Sequence, residues 1–128
     1  MQRRIIGDSA NLAPPAGPYS PAVWIGDSIA VSGQVGVDHA GNVVGEGIAE
    51  QTRQALTNAE QALTSLGASF EDVIRIGVYL TDTADFAAMN DVYRELFSPP
   101  YPARTTVYVG LPAGLRVEID VLAVAPRQ

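Results

Sequence analysis

The sequence contains 128 residues, 47% of them apolar and 17% charged, which is typical of one globular domain spanning residues 1–128. This composition excludes a disordered chain, a collagen and a coiled coil. Fourteen acidic residues against eight basic ones give a net charge of -6, which opposes binding to nucleic acid or to an anionic membrane surface. We therefore expect no nucleic-acid partner and no membrane partner.

The inventory of reactive side chains excludes most covalent mechanisms. The chain has no cysteine, all eight basic residues are arginine, and the one histidine is His39. A thiolate nucleophile, a lysine Schiff base and a zinc site of His and Cys are thereby excluded, so no metal and no cofactor are expected. Residues 1–8 contain no signal-peptide hydrophobic stretch and no segment has the length of a membrane span, so a cytoplasmic location is expected.

The first half of the chain is predicted to form a β-hairpin and then a helix. Two short apolar runs, Ala22–Ile25 and residues 29–32, flank a Gly-Asp-Ser sequence that is typical of a tight turn. Between residues 48 and 66, apolar side chains recur at the spacing of one helix face. Gly67 suits the left-handed position just beyond a helix C-terminus, so the helix is predicted to end at Leu66.

The second half of the chain is predicted to contain three strands and a second helix. Val73–Leu80 is an apolar strand, and Thr83 is a candidate N-cap for a helix that runs to about Phe97. Residues 103–109 and 116–124 are the last two strands. The element order β-β-α-β-α-β-β predicts an α+β fold, a single mostly antiparallel sheet with two helices packed on one face.

The second face of this sheet is predicted to be covered by further copies of the chain. Two helices cover only one face, whereas the strand Val73–Leu80 offers apolar residues to both faces. A closed homo-oligomer is the natural solution for a short chain with such a face. The alternation leaves the number of copies open.

Two glycine-containing segments are interpreted as turns and not as functional motifs. The glycines at positions 41, 45 and 47 lack the spacing of a dinucleotide fingerprint and the Gly-Lys-Ser/Thr of a phosphate loop. The Gly-Asp-Ser sequence at 26–28 would need a histidine base to act in serine hydrolysis. His39 lies in a polar turn and is predicted to be a solvated loop residue.

Asn90 interrupts an aromatic stripe on the second predicted helix. Phe86, Asn90, Tyr93 and Phe97 recur at the spacing of one helix face. A buried amide must find hydrogen-bond partners, either in the neighbouring backbone or in a ligand. The residues alone favour the structural role.

The last predicted strands carry two carboxylates and an arginine. Glu118 and Asp120 share one face of the final strand, and Arg104 lies near the start of the preceding one. These residues form either a surface ion pair of little energetic value or an anion clamp beside an acid, which would suit a small carboxylate substrate that undergoes proton transfer. The strand register that would place Arg104 relative to Glu118 cannot be read from the sequence.

Four blocks of sequence, in order along the chain, carry a family resemblance. They are APPAGPYS at 13–20, VSGQ at 31–34, DFAAMNDVY at 85–93, and a C-terminal series of PARTTV at 102–107, GLP at 110–112 and VEID at 117–120. Together they resemble the YjgF family, also called Rid, the reactive intermediate imine/enamine deaminases. Thr106 stands where many members have Cys or Ser, and Asp120 replaces a common Glu.

The resemblance implies a chorismate-mutase-like α+β fold and a homotrimer with sites in the clefts between subunits. It also implies that Arg104 grips the substrate carboxylate and that Glu118 orients or protonates around an attacking water. The expected substrate-binding residues are Tyr19, Ser32, Gly33, Asn90 and Thr106.

The activity implied by the resemblance is hydrolysis of 2-imino acids, including the imine tautomer of 2-aminoacrylate, to 2-keto acids and ammonia. Water is the nucleophile, which fits the lack of nucleophilic side chains. Three alternatives remain: a non-catalytic sensor of small carboxylates, a relative that acts on another catabolic intermediate, and a ribonuclease or translation inhibitor. The ribonuclease is the weakest, because the acidic chain has no basic cluster beyond Arg3 and Arg4.

Overall fold

A computed structural model describes residues 3–5 and 12–126 of the chain. Residues 1–2 and 6–11, which include most of the N-terminal segment considered above for a signal peptide, lie outside the described residues. The described residues form a six-stranded sheet and two α-helices. The strands are β1 (Arg3–Ile5), β2 (Ala22–Ile25), β3 (Ser28–Val35), β4 (Val73–Leu80), β5 (Ala103–Tyr108) and β6 (Val117–Val124).

The sheet has the strand order β1-β2-β3-β6-β4-β5. Four of its five pairings are antiparallel, and β4 with β5 is the parallel one. The predicted single, mostly antiparallel sheet is therefore confirmed. The predicted element order omitted β1, which is only three residues long and pairs with the free edge of β2, so no local periodicity could indicate it.

The two helices are α1 (Ile48–Ser65) and α2 (Phe86–Leu96). Leu66 is the C-cap of α1, and Gly67 follows with a φ of 81°, as the sequence predicts. The prediction that Thr83 caps the second helix was wrong. Thr83–Asp85 forms a 3-10 turn capped by Asp82, whose side chain accepts a hydrogen bond from the Ala84 N–H at 2.9 Å, and α2 begins at Phe86.

Both helices pack on the same face of the sheet, as predicted, and the core lies between them and the strands. Alternate residues of the central strand β6 point into this core and are buried: Val117, Ile119, Val121 and Ala123. From α1 they meet a row of small and branched apolar residues, Ala55, Leu56, Ala59, Ala62 and Leu63, and from α2 they meet Met89 and Tyr93. The opposite face of β6 carries Leu122 and Val124, which are about 40% exposed.

A buried polar network fixes the start of α2 against the start of β6. Arg116 donates two hydrogen bonds to the Asp85 carboxylate, at 2.8 and 3.1 Å, and a third to the Glu46 carbonyl. The Arg116 backbone N–H donates to the side chain of buried Gln51 on α1. One arginine thus connects both helices to the central strand. The Asp85 carboxylate can be buried at low cost because Arg116 pairs its charge.

We predict that Arg116→Met lowers the free energy of unfolding by about 2–4 kcal/mol, because it leaves the buried Asp85 carboxylate without its partner. The matched control is Arg53→Met, which removes an ion pair to Glu95 with both side chains about half exposed; it should change stability by less than about 1 kcal/mol. Urea denaturation of both variants measures the difference. Equal losses would contradict the role assigned to the Arg116 network.

Candidate functional site

Arg104 lies on the helix side of the sheet, beneath α2. It pairs with Ile76 in the parallel β4–β5 register, and Ile76 points into the core. The Arg104 guanidinium carbon lies 4.8 Å from the centre of the Tyr93 ring and 5.8 Å from that of Phe86. Within residues 3–5 and 12–126 it has no ion pair. Aromatic rings hold this cation, so its N–H groups remain able to bind an anion.

A cavity of about 270 Å³ opens beside Arg104. Its other lining residues come from α2 and from the segment before β5: Asn90, Tyr93, Arg94, Tyr101 and Pro102. The Asn90 amide makes no hydrogen bond to a described residue, so the structural role that the sequence favoured has no support here. Asn90 is half-buried at the cavity wall, where its amide can reach a ligand.

Two polar atoms near Arg104 are buried without a hydrogen-bond partner. They are the Thr106 hydroxyl, two residues further along the same face of β5, and the hydroxyl of Tyr93, whose ring lies beneath the guanidinium. Burial raises the pKa of the Tyr93 hydroxyl. Unsatisfied buried hydroxyls are rare in folded chains, and these two lie in the part of the chain that carries the arginine pocket.

Glu118 lies on the opposite face of the sheet. It pairs with Tyr79 in β4, whereas its neighbours Val117 and Ile119 point into the core. The carboxyl group lies over Gly33 of β3, where an added Cβ would come within 2.8 Å of the Glu118 Cδ atom. The missing side chain at position 33 therefore leaves room for this carboxyl group.

Ser32 precedes Gly33 in β3, and Tyr19 lies in the loop before β2. The Ser32 hydroxyl donates a 2.6 Å hydrogen bond to the Ser20 carbonyl, which ties β3 to the N-terminal loop. Tyr19 is half exposed, and it shares with Gly33 the lining of a second cavity of about 240 Å³.

The seven residues predicted for the site thus form two groups, and the sheet separates Arg104 and Thr106 of the first group from Glu118 and Gly33 of the second. The arginine group contains Arg104, Asn90 and Thr106, and the glutamate group contains Glu118, Gly33, Ser32 and Tyr19. One strand separates β5 from β6, so the Arg104 and Glu118 Cα atoms lie about 10 Å apart across the sheet. Arg104 and Glu118 are also displaced along the strands by three residues, or about 10 Å, because their partners on β4 are Ile76 and Tyr79. One chain therefore does not bring Arg104 and Glu118 together.

The glutamate group also contains Asp120, the second carboxylate that the sequence places on this face of β6, and Tyr79, which the sequence analysis missed. The Tyr79 hydroxyl donates a 2.9 Å hydrogen bond to Asp120. Both side chains lie over Gly77, where an added Cβ would clash with Asp120 Oδ1. A glycine in the middle of a strand, with a tyrosine two residues on, is the signal that could have identified Tyr79.

The pKa of the Glu118 carboxyl is raised above its ordinary value, first by burial and then by the neighbouring Asp120 charge. The pKa of Tyr79 is raised as well, mainly by its hydrogen bond to Asp120. Glu118 therefore retains its proton to a higher pH than a solvated glutamate.

Metal-binding and membrane-spanning features were sought in the same residues. Within 3–5 and 12–126, no three His, Cys, Asp or Glu side chains are grouped so that they could hold a metal ion. No helix in the described part of the chain is long and apolar enough to cross a membrane.

The fold and the arginine pocket define a small α+β protein, and comparison with known proteins identifies its family. The family model for Endoribonuclease L-PSP matches residues 10–125. The 2-iminobutanoate/2-iminopropanoate deaminase of Capra hircus is 46% identical over 127 residues, which cover 97% of this chain and 91% of that protein. The chain therefore belongs to this family, which is the YjgF/RidA family that its motifs resemble.

Two solved structures from E. coli have the same fold. The YjgF gene product has a TM-score of 0.88 and 32% sequence identity, and the match covers 96% of this chain and 99% of that one. TdcF with bound serine has a TM-score of 0.88 and 31% identity, with coverage of 96% and 100%.

We predict that Glu118→Gln stabilises the chain relative to the native sequence at neutral pH. Because the folded-state pKa of Glu118 is raised, the unfolded chain releases this proton first as the pH rises above about 4.5, and native stability then falls. The amide has no proton to lose. The difference in thermal midpoint should vanish at pH 3 and increase toward pH 8, measured at constant protein concentration.

The matched control for this pH dependence is Glu60→Gln, on the exposed side of α1. A stability difference between Glu118→Gln and the native chain that does not depend on pH would contradict the raised pKa.

Proposed function

We propose that this chain is a 2-iminobutanoate/2-iminopropanoate deaminase, which hydrolyses small 2-imino acids to 2-keto acids and ammonia. The single observation that carries the proposal is the Arg104 guanidinium, held by aromatic rings beside a cavity and without an ion pair among the described residues. A planar guanidinium fork matches a planar carboxylate in two parallel hydrogen bonds. The relatives that carry the deaminase name support the reaction.

The reaction needs a bound carboxylate, a water and a proton donor. Arg104 holds the substrate carboxylate, and the Asn90 amide orients the adjacent C=N group. Water adds to the imine carbon, the C=N electron pair moves to nitrogen, and nitrogen takes a proton. The carbinolamine then loses ammonia as its hydroxyl becomes the keto oxygen. At each step Glu118 donates a proton to nitrogen and takes one back from the oxygen of the added water, and its raised pKa favours the protonated form that a general acid needs.

A complete site requires two copies of the chain, because Arg104 and Glu118 lie on opposite faces of one sheet. In this proposal the arginine group of one copy meets the glutamate group of its neighbour. The exposed apolar residues on the open face of the sheet, such as Leu122 and Val124, supply a surface for that contact. A closed homotrimer with three such sites is the assembly we propose, located in the cytoplasm.

The description of the family model, an endoribonuclease, supplies a second candidate. The net charge of -6 opposes it, because single-stranded RNA binding requires a positively charged groove along the RNA backbone.

A non-catalytic sensor of small carboxylates is a third candidate. It would need Arg104 to bind the carboxylate but would not need a carboxyl group with a raised pKa. Ammonia release from freshly generated 2-iminobutanoate distinguishes the deaminase from the ribonuclease and the sensor, because only the deaminase should exceed the uncatalysed rate.

We predict that Arg104→Lys lowers kcat/KM for 2-imino acids by at least roughly 30-fold. Lysine keeps the charge but loses the planar fork, and imperfect pairing of a desolvated carboxylate costs about 2–5 kcal/mol. Keto-acid formation measures the effect, and sedimentation shows whether the assembly persists.

The matched control is Arg53→Lys, on the outer surface of α1, which should leave kcat/KM unchanged. Native kcat/KM in an intact Arg104→Lys assembly would assign Arg104 a structural role and refute the proposed site.

A further inference from the structure

We propose that Asp120, held by Tyr79, is a positioning residue that keeps a proton on Glu118 and thereby makes Glu118 a general acid. The inference rests on the proposed function and assigns different tasks to the two carboxyl groups of β6. It adds Asp120 and Tyr79 to the functional machinery as residues that act through Glu118.

The two carboxyl groups share one face of β6 but lie over glycines of different neighbouring strands. Glu118 lies over Gly33 of β3, on one side of the central strand. Asp120 lies over Gly77 of β4, on the other side. A Cβ at either glycine would collide with the carboxyl group above it, so the two glycines leave room for these positions. The carboxyl groups therefore lie on the same face of β6, two residues apart.

Asp120 is fixed in position by a hydrogen bond from β4. The Tyr79 hydroxyl donates to its Oδ2 atom at 2.9 Å. This hydrogen bond raises the pKa of Tyr79, so the tyrosine remains the donor throughout the physiological range. The Asp120 carboxyl group is thus held on the face of β6 that it shares with Glu118.

Glu118 has no such hydrogen bond. It makes none to a described residue, it is half-buried, and the Asp120 charge acts on it, so its pKa is raised. Gly33 of β3 faces it without a titratable group. From β4 it is faced by Tyr79 and, further along, by Arg75, whose guanidinium is within 3.4 Å of the Thr105 hydroxyl. In the proposed assembly Arg104 of the neighbouring copy also faces it, and the substrate carboxylate pairs the charge of that guanidinium. A half-buried glutamate beside a second carboxyl group is the pattern of a general acid.

The proton on Glu118 has a defined use in the release of ammonia. The carbinolamine nitrogen takes this proton as the C–N bond breaks and its electron pair leaves with ammonia. The electron pair of the hydroxyl O–H bond forms the C=O bond, and the hydroxyl proton returns to the Glu118 carboxylate through water. Glu118 begins and ends this step protonated, and Asp120 exchanges no proton with the substrate.

The test is the variant Asp120→Asn, which keeps the shape and removes the charge. The basic limb of the kcat profile should move to lower pH, because Glu118 then releases its proton more easily, and kcat at neutral pH should fall about three- to tenfold. Asp27→Asn, in the exposed turn between β2 and β3, makes the same charge change and should leave the profile unchanged.

A second variant separates the proposed interaction from damage to the fold. Tyr79→Phe removes only the hydroxyl that holds the Asp120 carboxyl group and should move the basic limb by a smaller amount than Asp120→Asn does. Added to Asp120→Asn it should cause no further shift, because Tyr79 acts through Asp120. An additional shift in the double variant, or an unchanged basic limb in both single variants, would overturn the proposal. So would a shift of the acidic limb alone, which would make Glu118 a base.

Carboxyl 13C NMR gives a readout that does not depend on the proposed function. In protein labelled at glutamate side chains, the titration midpoint assigned to Glu118 by Glu118→Gln should fall in Asp120→Asn. That fall in a protein without deaminase activity would support the carboxyl pair and refute the proposed function. An unchanged midpoint would overturn the pair whatever the activity.

Discussion

The alternation of side chains along a β-strand is the constraint on which the functional site depends. In β6 it buries four apolar residues against the helices and turns Glu118 and Asp120 to the other face. In β5 the parallel register with β4 turns Arg104 and Thr106 toward the helix side. The same rule that builds the core thus places the anion-binding group and the acid on opposite sides of one sheet. A substrate of a few atoms cannot reach both within one chain.

Each side of the sheet prepares its functional group in a different way. On the helix side, Tyr93 and Phe86 hold the Arg104 guanidinium by cation–π contacts, which contribute about 0.5–2 kcal/mol each. A bidentate hydrogen-bonded carboxylate in a desolvated cleft contributes more than these contacts. Because Arg104 has no ion pair among the described residues, a ligand carboxylate can bind without first breaking one. On the open side, two mid-strand glycines make room for two carboxyl groups, and burial together with the Asp120 charge raises the pKa of Glu118.

The local elements were predictable from sequence because their signals are local. The helical spacing over residues 48–66 and the left-handed Gly67 define α1, and period-two alternation defines β4 and β6. Long-range features were not predictable. The strand β1 depends on pairing with the edge of β2. Asp82, and not Thr83, caps the turn before α2, and Asp85 at the end of that turn is paired with Arg116.

The candidate site was also predictable only in part from the sequence. The motifs indicate its residues, but the strand registers separate them into two groups. The relation of Arg104 to Glu118 depends on the order β6-β4-β5, which brings together segments distant in sequence. The Tyr79–Asp120 pair likewise joins two strands 41 residues apart. Gly33 and Gly77 were the sequence features that could have indicated the two carboxyl seats.

The most direct test of the shared site is activity in mixed assemblies. Arg104→Lys and Glu118→Gln chains, each deficient alone, are unfolded together in equal amounts and refolded. If each site takes Arg104 from one copy and Glu118 from its neighbour, random assembly gives both native residues in about one half times one half, or about a quarter, of the sites. Ammonia release should then recover to about a quarter of the native rate. Recovery no greater than the sum of the two separate variants would place Arg104 and Glu118 in one chain's site and contradict the account.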